Sequence, residues 1–125
     1  MLAAIAVGGA VGAVFRYLIS WHLGNVFGVI FPWGTLAINL SGSFLMGILH
    51  SITLAGTLAP QVRSFAAIGM VGAFTTFSTF ALESLIMLRE GEAFRALGYV
   101  LLSTILGVFC ALVGLTVGNI VARGV

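Results

Sequence analysis

"GAFTTFSTF", Gly72 to Phe80, sets four hydroxyls and three phenylalanines inside a segment that otherwise reads as apolar helix. Serine and threonine side chains offer the backbone partners that compete with helical bonding. Preceded by Gly69 and Gly72, the cluster therefore predicts a break between Gly72 and Thr75. Ser78 or a neighbouring threonine would cap a second half-helix, with Glu83 about one turn in, where the positive end of that half suits a carboxylate. The competing reading is an unbroken helix whose hydroxyls bond back to the preceding turn. The choice decides the fold, because a break at bilayer depth is tolerated only where it is buried in protein or lines a cavity.

Composition puts this segment in a bilayer. Of 125 residues, 61% are hydrophobic and 6% charged, whereas soluble domains carry roughly 25% charged residues. The chain reads as an all-α integral membrane protein. Spanning ~30 Å of hydrocarbon takes about 20 helical residues, and charges and prolines cut the sequence into four such lengths, at about 2–20, 33–54, 65–88 and 96–120. These form a single four-helix transmembrane domain with short loops. The first span lacks a basic leader and a small-residue cleavage site and carries Arg16, so it reads as retained rather than as a signal peptide. Trp21 and Trp33 flank the first loop, where amphipathic rings sit at headgroup level. Small residues recur at helical spacing in Gly8/Gly12, Ser43/Gly47, Gly69/Gly72 and Gly114/Gly118, a pattern that lets membrane helices approach closely.

Orientation is the informative ambiguity. Four spans put both termini and the Pro60 loop on one side, with Arg63 and Arg123. The other side carries Arg89 and Arg95, joined by Arg16 if its side chain snorkels toward Trp21. Orientation is set by an arginine and lysine bias, and here the two sides nearly balance. Either a partner fixes one orientation, or the chain inserts both ways and two inverted copies pair as an antiparallel, dual-topology homodimer. A four-span monomer is also too small to enclose a polar route comfortably, which favours pairing.

Few side chains can carry chemistry. Asn39, well inside the second span, is either an interhelical clasp or a pore-lining hydrogen-bond donor. Arg16 is either a pore charge or an interfacial anchor. His50 and His22 lie near span ends and complete no metal-ligand spacing. Cys110 is alone, and so reads as a buried thiol. With no aspartate and no assembled nucleophile set, the chain does not read as an enzyme. Its scattered arginines offer no basic patch to nucleic acid. Phe77 and Phe80 share a face with Phe74, a spacing usual in cores or against lipid. Ring edges are positive, however, and edges interleaved with hydroxyls would offer an anion weak coordination of the kind conduction needs.

Three stretches together resemble one family: "GGAVGAVFRY" (Gly8 to Tyr17), "GTLAINLSGSFLMG" (Gly34 to Gly47) and "GMVGAFTTFSTFALE" (Gly69 to Glu83). They are similar to the Fluc fluoride channels, also called the CrcB family, in three of four spans and in order. The resemblance implies a dual-topology antiparallel homodimer with two fluoride pores in a prokaryotic inner membrane. It implies a structural sodium ion at the dimer centre, held by backbone carbonyls of Gly72 and Thr75. It assigns the pore-lining rings to Phe77 and Phe80, the pore asparagine to Asn39 and a vestibule arginine to Arg16, with Thr79 and Ser78 in the polar lining. Tyr99 and Ser103, four apart in the fourth span, look like the start of the family's polar track, which Gly107 does not continue. The expected activity is passive, selective fluoride export that limits fluoride toxicity. A small four-helix multidrug exporter is disfavoured because the first span has Arg16 and no acid. A non-transporting scaffold would leave Asn39 and the hydroxyl-phenylalanine cluster without a purpose.

Overall fold

The computed structural model describes Met1 to Gly124, and the described residues form helices and turns only. Four segments are long and apolar enough to cross a membrane. The first two are α1 (Leu2–Phe27) and α2 (Trp33–Leu54). The third, Pro60–Arg89, is composite: α3 (Pro60–Arg63), a π-helical stretch (Ser64–Val71), α4 (Gly72–Phe74) and α5 (Phe77–Arg89). The last is α6 (Ala93–Gly124). Pro60 opens the third span at its first turn, where its missing N–H is not needed. Gly28 and Gly91 turn the chain at φ of 79° and 81°, left-handed values that glycine adopts without penalty.

Several boundaries differ from the expected ones, among them the third span, which opens at Pro60 instead of about 65, and α6, which runs from Ala93 to Gly124 instead of 96–120. α1 continues to Phe27 instead of stopping near Ser20, because nothing in "WHLGNV" forces a stop before Gly28. A Cβ on Gly34, at the start of α2, would lie 2.9 Å from the Ser20 Cα. Gly34 is therefore level with Ser20, and α1 overshoots α2 by about two turns. Arg16 lies one turn inward of that level, within snorkelling reach of the Trp21 end. α6, at 32 residues, is about 48 Å long and exceeds the hydrocarbon thickness by tilt or projection.

Main-chain contact through glycines holds the spans together. α2 packs most extensively on α6, and α1 packs on the π-helical stretch. Cβ atoms on Gly8 and Gly12 would overlap the carbonyls of Phe65 and Met70, and one on Gly69 would sit 2.6 Å from the Ile5 carbonyl. In the other pair, Gly47 abuts Ala111 and Gly114 abuts the Phe44 carbonyl, while the Ser51 hydroxyl donates to the Leu115 carbonyl at 2.9 Å. These are the small-residue contacts that substitute for a hydrophobic drive between helices in lipid. Two members of the expected pairs behave otherwise. Ser43 donates to its own helix at the Asn39 carbonyl, and Gly72 is exposed on the outside of the chain.

Gly114→Val forces α6 off α2 and should cost about 2 kcal/mol or more through overpacking. It is expected to lower the thermal midpoint in detergent or abolish the folded peak on size exclusion. Gly98→Ala, with no atom near its Cβ, should leave the midpoint unchanged or raise it slightly.

Candidate functional site

The third span is broken at its midpoint. Thr75 (φ −77°, ψ 156°) and Thr76 (φ −148°, ψ 112°) are extended, between the helical α4 and α5. The break therefore lies one step later than expected, since Gly72 to Phe74 still carry helical geometry. Its cap is Thr76, whose Oγ1 accepts from the Thr79 amide at 3.3 Å and whose hydroxyl donates to the Thr79 Oγ1 at 2.9 Å.

Asn39 fixes this geometry from α2. Its Oδ1 accepts from the Thr76 amide at 2.8 Å, and its Nδ2 donates to the Thr76 carbonyl at 3.0 Å. One side chain thus satisfies both main-chain groups of a buried residue that belongs to neither helix. It does so with one of its two N–H bonds; the other remains to donate elsewhere.

The same rearrangement frees carbonyls. In a continuous helix the Thr76 amide would serve Gly72, and the Thr79 amide would serve Thr75. Here they go to Asn39 and to the Thr76 hydroxyl instead. Gly72 and Thr75 thus present carbonyl oxygens at the negative end of the first half-helix, and Gly72 does so on the exposed side of the chain. That donor set, main-chain oxygens without amide partners, fits a hard cation.

An open groove of about 570 Å³ runs beside the break. α2 contributes Asn39, Ser43, Met46 and His50; the third span contributes Thr75, Thr76, Phe77 and Phe80; α6 contributes Ser103 and Thr104. The Phe77 and Phe80 rings are 5.7 Å apart at 48°, and Phe77 is 78% exposed. Facing them, the Ser103 Oγ is buried without a hydrogen-bond partner.

A second recess of about 460 Å³ opens at the Trp33 end and includes Thr35, Thr79, Glu83 and Glu90. The Thr76–Thr79 hydrogen bond joins the lining of one recess to that of the other. The Glu83 carboxylate accepts from the Thr35 hydroxyl at 2.8 Å and the Tyr99 hydroxyl at 2.7 Å. It lies two turns past the cap, so those two hydroxyls, rather than the end of α5, hold it. The fully buried Tyr99 ring packs against Phe80 at 5.2 Å and edge-on against Phe31 at 5.4 Å.

Residues 3–115 match the family described as "CrcB-like protein, Camphor Resistance (CrcB)". The chain belongs to the CrcB family. Over 110 residues, 88% of this chain and 89% of the relative, it is 44% identical to the "Fluoride-specific ion channel FluC" of Shewanella halifaxensis. The proteins of the same name from Shewanella baltica and Shewanella loihica are 44% and 42% identical over the same coverage. A CrcB chain with four membrane-crossing segments is a multi-pass membrane protein.

Within this CrcB chain the groove gathers Asn39, Phe77, Phe80 and Ser103. Thr79 faces the second recess. Ser78 is exposed and lines neither, and Arg16, half-buried on α1, also lines neither. Tyr99 sits behind Phe80 instead of on the groove wall. Thr35 and Phe31 join the site without an individual sequence signal. The pattern that could have marked the α2 wall is the series Thr35, Asn39, Ser43, Met46 and His50, spaced by four, four, three and four along one helical face.

Asn39→Ala leaves the buried Thr76 amide and carbonyl unpaired, at a cost of about 1–3 kcal/mol per group. Asn39→Asp, when ionised, still accepts from the amide but cannot donate to the carbonyl. The expected order of thermal midpoints is wild type, then Asn39→Asp, then Asn39→Ala, read by scanning fluorimetry in detergent.

Proposed function

We propose that the chain forms a fluoride-selective passive channel, as an inverted pair of identical copies, that lets cytoplasmic fluoride leave down its electrochemical gradient. One observation carries this reading. At mid-span, a single groove combines a spare Asn39 N–H, an unpartnered Ser103 hydroxyl and the Phe77–Phe80 ring pair. Those groups are donors and positive ring edges without a fixed cationic side chain. An anion that enters can exchange hydration for them, yet nothing there holds it tightly. Fluoride is small and strongly hydrated, so a path selective for it must supply close donors instead of mere width. Hydrogen fluoride crosses membranes neutral and ionises inside, so a passive anion route suffices for export. The naming of 44% identical relatives as fluoride-specific channels supports the choice of ion.

Pairing follows from the exposed face of the break. Gly72, Ser78 and most of Phe77, which flank the extended Thr75–Thr76 pair, are uncovered in one chain, and irregular backbone is not left beside lipid within the hydrocarbon. A second copy laid across this face would cover it and close the groove. The near balance of arginines on the two sides favours the inverted arrangement. Two-fold symmetry would then bring two Gly72 and two Thr75 carbonyls to the axis. Sodium there would supply a positive charge for carbonyl oxygens that the helix no longer uses. Arg16, near the Trp21 end, would attract anions toward the path. Residence in a prokaryotic inner membrane follows from this role.

Phe80→Ile removes a ring edge while keeping an apolar side chain. Fluoride efflux from loaded liposomes is expected to fall at least about ten-fold with the size-exclusion profile of the pair retained; unchanged efflux would remove Phe80 from the path. Reporter fusions after the last residue should register on both sides of the membrane, and a single orientation would contradict the inverted pair.

A further inference from the structure

His50 is the one titratable side chain among the residues lining the groove. It lies on α2 eleven residues from Asn39, about 16 Å of helix rise, at the other end of the Asn39, Ser43, Met46 and His50 stripe. The residue is exposed, one turn before α2 ends at Leu54, so its imidazole meets water at the mouth of the groove. Among the described residues, the groove lining offers it no counter-charge. α6 contributes Ser103, Thr104, Ala111 and Leu115 to the lining, and the third span contributes threonines and phenylalanines. Among the described residues, the charges at this end are the Met1 amine at the start of α1, Arg63 in the last turn of α3, and Arg123 in the last turn of α6. The acids lie at the opposite end: Glu83 and Glu90 line the other recess, and Glu92 pairs with Arg95 at 3.6 Å.

We propose that His50 is a proton-tuned attractor for anions at this mouth, and that its charge sets how fast the groove is supplied. Protonation would place a positive charge on this imidazole. With no carboxylate among the described residues lining the groove, the added charge is not cancelled there but extends into the entrance. Low-dielectric walls focus such a field and raise the local concentration of counter-ions. The inference rests on the channel reading and adds a rate-setting residue to it, at a position that the hydrogen bonds around the break do not involve.

The test is fluoride current through the purified full chain in planar bilayers, at about 0.01 M ionic strength where screening is weakest. Neutral hydrogen fluoride carries no current and does not contribute. Wild-type current is expected to be about two-fold larger at pH 5.5 than at pH 8, the effect of one unit charge roughly 10 Å from the ion path in water. In His50→Gln the response to pH disappears, and in His50→Lys the larger current is present at both values. Near 1 M salt the wild-type ratio falls toward one, which a conformational effect of protonation would not do. The same pH ratio in wild type and His50→Gln overturns the proposal. A wild-type fluoride current that is flat with pH overturns it while leaving the channel reading intact. Absence of fluoride current at both pH values in folded protein overturns both.

Discussion

The structure depends on how two main-chain groups of Thr76 are satisfied at the centre of an apolar span. Hydrocarbon offers no water, and each unpaired amide or carbonyl there costs several kcal/mol. Asn39 removes that penalty by bonding both groups of Thr76 from the neighbouring helix. With this residue pinned in an extended conformation, the helix ends at Phe74 and restarts at Phe77. The restart is capped by the Thr76 hydroxyl, and the positions of Phe77, Phe80 and Thr79 follow from it. The close α2–α6 contact matters for the same reason: its glycines place Asn39 and Ser103 on adjoining walls, so that clasp and groove are formed by one arrangement.

A broken helix has two consequences that point in different directions. On the groove side it places the Phe77 and Phe80 rings and the Asn39 amide along one open space. On the outer side it leaves Gly72 and Thr75 with carbonyls that the helix no longer uses. The first suits anion conduction, and the second would suit a hard cation and a covering surface. Both are met if the partner is a second copy of the chain in the opposite orientation. The family membership bears on the anion path; the proposed inverted pair rests on the exposed face beside the break and on the near balance of arginines.

The four spans and the existence of the break were legible because each rests on local composition. Charge-free lengths of about 20 residues mark spans, and clustered hydroxyls behind glycines mark a weak point in a helix. The position of the break was less legible. Its exact site is set by Asn39, 37 residues away in sequence, and local propensity alone favoured the glycine at position 72, which remains helical. The helix of α1 outlasts the expected span of about 2–20, because no charge or proline ends it and helix geometry persists until Gly28 with its positive φ. Asn39 was ambiguous between clasp and pore donor, and its two bonds with one N–H to spare make the two roles compatible. Glu83 was placed near a helix end, but long-range hydroxyls from Thr35 and Tyr99 hold it, and only the packing of α2 and α6 brings those together. Tyr99 and Ser103 share a helix face, yet one is fully buried behind Phe80 and the other meets the groove, a distinction that depends on neighbouring spans.

The proposed channel conducts fluoride through this groove, closed by a second copy, and discriminates against larger halides. Its most direct test is the reversal potential of the purified protein in a planar bilayer with a fluoride gradient and equal chloride on both sides. A fluoride-selective path gives a shift of about 59 mV for each ten-fold fluoride gradient, the ideal value for one monovalent permeant ion. A reversal potential that stays near zero under the fluoride gradient, or that moves when chloride is varied instead, would contradict it.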